Sequence, residues 1–142
     1  MPKPMDVLII DDEEIVHKRL RPSIERMGCE VETFLDPVAA LKRIDEKEFD
    51  AIITDVRMEE VDGIQVLEHA RSKSPRTKVI VITGYAMMAL AREAMQKGAF
   101  DFISKPFKPS DIRAVIRKAA VELDIPLEPS KTREAAPQTD GS

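Results

Sequence analysis

Three carboxylates, a threonine and a lysine stand just past the ends of four different apolar runs. Asp11-Asp12 follows Val7-Leu8-Ile9-Ile10, and Asp55 follows Ala51-Ile52-Ile53-Thr54. Thr83 follows Val79-Ile80-Val81-Ile82, and Lys105 follows the run from Phe100 to Ser104. Three acids gathered in one place repel one another, and protonation, a lysine or a metal must relieve that repulsion. Hard oxygen donors suit Mg2+, which takes one or two carboxylates, keeps several waters and accepts phosphate oxygens in its remaining positions. Lys105 adds a mobile positive charge suited to a phosphoryl oxygen, and the Thr83 hydroxyl can donate to another. An aspartate beside a bound metal can act as a nucleophile toward phosphorus and form an acyl phosphate. Positioning and charge neutralisation do most of the work in such a transfer. As a set, these residues describe a site that accepts a phosphoryl group on an aspartate.

That reading requires the runs to be parallel strands of one sheet, because only then do all five groups share its carboxyl edge, where open α/β sheets bind ligands. The chain supports this by alternating strand-like and helix-like patterns. Met5 to Ile10 is a short β-branched run of the kind buried on both faces. Ile15, Val16, Leu20, Ile24 and Met27 recur at helical spacing, so a helix is predicted from about Glu13 to Met27, kinked or tightened at Pro22 and ended by Gly28. Glu30 to Phe34 alternates polar and apolar residues, as an edge strand does. Asp36 then caps a helix with Pro37 at its first position, running to about Lys47. Phe49 to Asp55 is the third strand, and Gly63 opens a helix that Ser74-Pro75 stops. Lys78 to Thr83 is the fourth strand, followed by a helix from Ala86 to Lys97 closed by Gly98. Phe100 to Ser104 is the fifth, and a last helix runs from about Ser110 to Leu123. Five βα units with right-handed crossovers make a doubly wound α/β sheet with helices on both faces. Residues 5–124 read as one domain. Residues 125–142 lose hydrophobic periodicity and read as a disordered tail or a severed linker.

Bulk properties narrow the function. The 26 acidic and 22 basic residues leave a net charge of -4, which argues against direct nucleic-acid binding because phosphate backbones need a basic surface. No apolar run is long enough to span a bilayer, and Met1 to Met5 leads straight into a strand with no signal-peptide pattern. Cys29 is the only cysteine, so no internal disulfide forms, and it reads as a small residue in the turn after Gly28. These features suit a reducing cytoplasm.

The ordered set Asp11-Asp12, Asp55, Thr83-Gly84 and Lys105-Pro106 resembles the receiver domain of bacterial two-component response regulators. Supporting stretches are Val7 to Glu14, Asp55-Val56-Arg57-Met58 with Asp62-Gly63, and Gly98 to Phe107. The resemblance spans roughly Met5 to Leu123. It implies a flavodoxin-like, doubly wound, five-stranded parallel sheet of order 2-1-3-4-5 with five helices. It implies Asp55 as phosphoacceptor, with Mg2+ held by Asp12, Asp55 and the backbone carbonyl of Arg57, and by Asp11 through water. Lys105 contacts the phosphoryl group, Lys105-Pro106 is a cis peptide, and Thr83 and Phe102 form a switch. The implied donor is a histidine kinase, a phosphotransfer protein or a small phosphodonor. The implied output is a changed surface, made by the helix at Ala86, the strand at Phe100 and the helix after Ser110, that binds a downstream protein or a second copy. The family usually has proline where Glu59 stands, so the loop after Asp55 is expected to be less rigid.

Rival readings remain open on the residues alone. Asp11 to Glu14 also suits a plain helix N-terminus. A phosphatase with an aspartate nucleophile would want a second acid two residues on, where Arg57 follows Asp55 and Glu13 follows Asp11. A nucleotide or flavin binder needs a glycine- or hydroxyl-rich loop after the first strand, and here that loop is acidic. A larger transcriptional response regulator whose effector domain is missing, or a bare scaffold, are further alternatives. His17 and His69 read as ordinary surface residues. Ala91, Ala94 and Met95 share an inward helix face, with Leu90 at its margin. Bulky Arg57 and Tyr85 flank the site and are expected to shield a phosphoryl group from water.

Overall fold

The computed structural model describes residues 3–58 and 60–129. Strands β1 (Met5–Ile10), β2 (Cys29–Phe34), β3 (Ala51–Asp55), β4 (Lys78–Thr83) and β5 (Asp101–Ser104) alternate with helices α1 (Glu14–Glu25), α2 (Pro37–Glu46), α3 (Gly63–Lys73), α4 (Met88–Gln96) and α5 (Pro109–Leu123). The sheet order is β2-β1-β3-β4-β5, and every pair is parallel. This is the flavodoxin-like 2-1-3-4-5 topology that the resemblance implies.

The period-two alternation of strand side chains splits the core into two layers. Val7, Ile9, Ile53, Ile80 and Ile82 pack beneath α1 and α5. Leu8, Ile10, Ile52, Val79 and Val81 pack on the other face beneath α2, α3 and α4. The central strands β1 and β3 are buried along their whole length, which is why they read as continuous apolar runs. Edge strand β2 alternates over its first residues, and β5 buries only Ile103.

Local chemistry sets the element ends. The Asp36 carboxylate accepts from the Val38 amide at 2.9 Å, with Pro37 in the first turn of α2. Asp62 and Gln65 cap α3 reciprocally, each backbone amide bound to the other's side chain at 2.9 Å. Gly28 and Gly98 adopt positive φ, after α1 and α4 respectively.

Several sequence expectations are corrected. The helix expected from Ala86 begins instead as a 3-10 turn, Tyr85–Met87, and becomes α-helical at Met88. Met95 is 39% exposed rather than inward, because Ala91 and Ala94 alone fit flush against the sheet. Leu90 is half-buried against the α2–α4 layer. Cys29 is the first residue of β2 and not a turn residue, and its burial, with Asp50 and Asp6 nearby, pushes the thiol up to about 12. Phe49 is buried ahead of β3, its carbonyl accepting from the Thr77 hydroxyl at 2.6 Å. Beyond α5 the chain keeps packing: Ile125 and Leu127 rest partly buried on the α1–α5 layer, where two apolar side chains outweigh the surrounding prolines. The rest of the expected tail, 130–142, lies outside the described residues.

Gly63 matters most for the site. Its amide donates to the Val56 carbonyl at 2.9 Å. An added Cβ would meet the Asp55 carbonyl oxygen at 2.6 Å and the Val56 Cα at 2.8 Å, both backbone. Gly84 has nothing within 4 Å of such a Cβ. Gly63→Ala is expected to lower unfolding free energy by about 1–3 kcal/mol in urea titrations, with Gly84→Ala close to wild type. Equal behaviour of the two would show that the α3 start does not press on β3.

Candidate functional site

The strand register brings the chemistry-bearing residues together. Ile10 pairs with Thr54, so Asp11 and Asp55 leave adjacent strands side by side. Asp55 pairs with Ile82 and Thr83 with Ser104, so Thr83 and Lys105 continue the same edge. Backbone bonds hold the strand exits: Val56 N donates to Ile82 O at 2.8 Å, and Lys105 N to Thr83 O at 2.7 Å.

At this edge, carboxylate oxygens of Asp11, Asp12 and Asp55 lie within 4.8 Å of one another. Asp11 is fully buried, Asp55 is buried and Asp12 is exposed. The Lys105 ammonium stands 3.8 Å from Asp11 Oδ2, 3.8 Å from Asp55 Oδ2 and 3.1 Å from Glu13 Oε1. Glu13 is thus a residue of the site that sequence reading weighed only as the second acid of a phosphatase, although its place beside Asp11-Asp12 was a signal. Lys105-Pro106 is cis.

Electrostatics follow from this crowding. Burial, then the nearby Asp11 charge, push Asp55 up to about 6; Lys105 pulls the other way without winning, and Asp12 adds to the rise. Burial also raises Asp11, against a backbone hydrogen bond from Glu13 and the charge of Lys105. For Lys105, burial favours loss of the proton, but Asp11, Asp55 and Glu13 together outweigh it and the ammonium is held more firmly.

The cluster fits a hard divalent cation. Asp11 Oδ1 accepts from the Glu13 amide at 2.9 Å, a local turn ahead of α1 rather than a helix cap, and this uses one oxygen. Asp11 Oδ2 is buried with no hydrogen-bond partner. A buried carboxylate oxygen in that condition is costly unless something binds it. The set of carboxylates, two buried and one exposed, offers oxygen ligands and an open side for water. The Arg57 carbonyl belongs to the same loop, two residues past Asp55.

The remaining expected residues are placed as follows. The buried Thr83 hydroxyl donates to the Gly84 carbonyl at 3.0 Å and not to the acids. Phe102 is half-buried against the α2–α4 layer. Arg57 is exposed, and its Nη1 donates to the Met87 thioether at 3.6 Å, reaching from the β3–α3 loop to the 3-10 turn. The Tyr85 side chain and Glu59 lie outside the described residues.

Both histidines are corrected. His17 is buried, its Nε2 2.8 Å from the Asp11 carbonyl oxygen. Its spacing of three and seven from Leu20 and Ile24 already placed it on the apolar stripe of α1. His69 is half-buried with Nε2 2.8 Å from Asp45 Oδ1. That acid sits on α2, 24 residues away, so no local pattern pointed to it.

This fold and edge define a receiver-type signalling domain, and comparison with known proteins agrees. The response regulator receiver domain family matches residues 7–117. The chain belongs to this family, the receiver domains of two-component response regulators. It is 35% identical over 113 residues to the regulatory protein AtoC of Escherichia coli, covering 80% of this chain and 24% of that protein. It is 36% identical over 123 residues to the photosynthetic apparatus regulatory protein RegA of Rhodovulum sulfidophilum, covering 86% of this chain and 67% of the relative. A receiver domain structure from Clostridium thermocellum superposes with a TM-score of 0.80 at 29% identity, covering 84% of this chain and 97% of that one. The chain spans about a quarter of the length of several curated relatives it matches. Among the described residues, no helix is long and apolar enough to cross a membrane.

The raised Asp55 pKa carries a stability consequence. Between the ordinary carboxylate range and about 6, the folded state holds a proton that the unfolded state has lost. Stability therefore falls as pH rises through that window and stays lower above it. Without divalent cations, Asp55→Asn is expected to raise unfolding free energy at pH 7.5 by on the order of 2–3 kcal/mol, and by much less at pH 4.5. Urea titrations at the two pH values check this; a pH-independent difference would remove ionisation of the buried Asp55 carboxyl as its cause.

Proposed function

We propose that this domain is a phosphorylation-dependent switch in which Asp55 accepts a phosphoryl group from a histidine kinase or phosphotransfer protein. The observation that carries the reading is the gathering of Asp11, Asp12 and Asp55 oxygens within 4.8 Å, faced by Lys105 at 3.8 Å. Asp12, Asp55 and the Arg57 carbonyl would hold Mg2+ directly and Asp11 through water. Bound there, the ion supplies charge neutralisation for the carboxylates and the incoming phosphoryl oxygens. An Asp55 carboxylate oxygen attacks phosphorus, the bond from phosphorus to the donor nitrogen breaks, and the donor imidazole keeps that electron pair. The product is an aspartyl phosphate. Lys105, already beside the carboxylate, pairs with a phosphoryl oxygen.

The response follows from what Thr83 gives up. Its hydroxyl now donates to Gly84 O and would turn to a phosphoryl oxygen. Phe102, half-buried on the next strand, would move into the space released. This biases a pre-existing equilibrium of the last two βα units. The surface of α4, β5 and α5 then binds a downstream protein or a second copy. The chain itself turns over no substrate beyond its own phosphorylation and dephosphorylation. FixJ, 31% identical over 132 residues, and ZraR are named as transcriptional regulatory proteins. They favour a second reading, in which this receiver controls transcription as part of a longer regulator.

Acetyl phosphate with Mg2+ is expected to add one phosphoryl mass to the wild-type chain, none with EDTA and none to Asp55→Asn. Equal labelling of the variant would remove Asp55 from this role. With a phosphate mimic plus Mg2+, a change in solution size or partner binding is expected in wild type and not in Asp55→Asn. Replacing Arg57, with its reach to Met87, and Tyr85 by alanine is expected to shorten the phosphorylated lifetime; an unchanged decay rate would refute shielding.

A further inference from the structure

Asp11 is clamped at three points. Its amide donates to the Phe34 carbonyl at 3.2 Å. Its Oδ1 accepts from the Glu13 amide at 2.9 Å. Its carbonyl oxygen lies 2.8 Å from His17 Nε2. Two of these clamps are backbone groups available to any sequence. The third is a side chain, reaching back from the first turn and a half of α1.

A carbonyl only accepts, so Nε2 carries the hydrogen of this bond. His17 Nδ1 is then left buried with no partner. The ring is 6% exposed and shares its stripe with Val16, Leu20 and Ile24. An apolar side chain would suit that environment better, since an unpaired buried polar atom is destabilising. What an apolar residue cannot do is hold the Asp11 carbonyl. With amide, carbonyl and Oδ1 all engaged, Oδ2 is the one polar atom of Asp11 left free. That atom faces Lys105 at 3.8 Å in the acid cluster.

We propose that His17 is a positioning residue of the cation site: through the Asp11 carbonyl it fixes the β1–α1 turn so that Oδ2 alone is presented to the ion. This rests on the Mg2+ reading above. Groups that hold ligands in place commonly govern metal affinity through such contacts.

The test compares donor with donor-free variants in the full chain. Gln carries an N–H donor near the Nε2 position, Leu fills similar volume with none, and Met is a second donor-free side chain that adapts to cavity shape. Two readouts are taken: Mg2+ affinity by calorimetry, and hydrogen exchange of the Glu13 amide in metal-free protein. His17→Leu or His17→Met is expected to weaken Mg2+ binding about three- to tenfold, the range of one hydrogen bond. It should also speed Glu13 amide exchange, while His17→Gln stays within about twofold of wild type on both. Unchanged affinity and exchange in the donor-free variants would overturn the proposal. So would equal losses in Gln, Leu and Met variants that track urea stability, which would leave His17 as a core residue. If the wild-type chain binds no Mg2+ at these acids, the cation reading fails, and Glu13 exchange alone decides the role of His17.

Discussion

Two carboxylates, Asp11 and Asp55, are buried beside each other at the ends of neighbouring strands. Burial pushes both toward protonation, and at Asp55 the Asp11 charge adds a repulsion that the desolvated edge screens poorly. Lys105 relieves this only in part, because it sits beyond hydrogen-bond reach of both acids and shares its charge with Glu13. The site is therefore a hole in the electrostatics of the fold, short of positive charge. The rest of the molecule must hold these acids together against that repulsion.

The architecture is distributed accordingly. The acids leave β1 and β3, the two strands buried along their full length and covered on both faces by aliphatic side chains. Gly63 closes the α3 start against the backbone of Asp55 and Val56, and the three clamps on Asp11 leave its turn little freedom. The opposite half is built more lightly. β5 has four residues with one buried, and α4 opens through a 3-10 turn and buries only Ala91 and Ala94. Phe102 lies on that lighter half, with Thr83 bordering it at the end of buried β4, and a rearrangement there costs less core packing. This contrast supports reading one half as platform and the other as response element.

Much of this was legible because hydrophobic periodicity reports burial directly. β4 was bounded correctly, the sheet order followed from the resemblance, and the Asp36 and Asp62 helix starts obey local capping chemistry. The misreadings share a cause. Met95, His69 and the Ile125–Leu127 segment depend on what packs against them from distant elements, whereas the burial of His17 was legible in its helical spacing. A helical wheel cannot tell that α4 lies close enough to the sheet to leave Met95 outside, nor that Asp45 stands opposite His69.

The linear chain determined which groups exist and where each strand ends, because apolar runs, glycines, prolines and caps act within a few residues. It thus placed every acid, the threonine and the lysine at an element boundary. Only the folded form decided that Lys105 meets Glu13 across 92 residues, that Asp11 keeps one unpaired buried oxygen, and that the Asp55 carboxyl is raised. Those are properties of distance and desolvation, and both come from parallel register and packing between segments far apart in the chain.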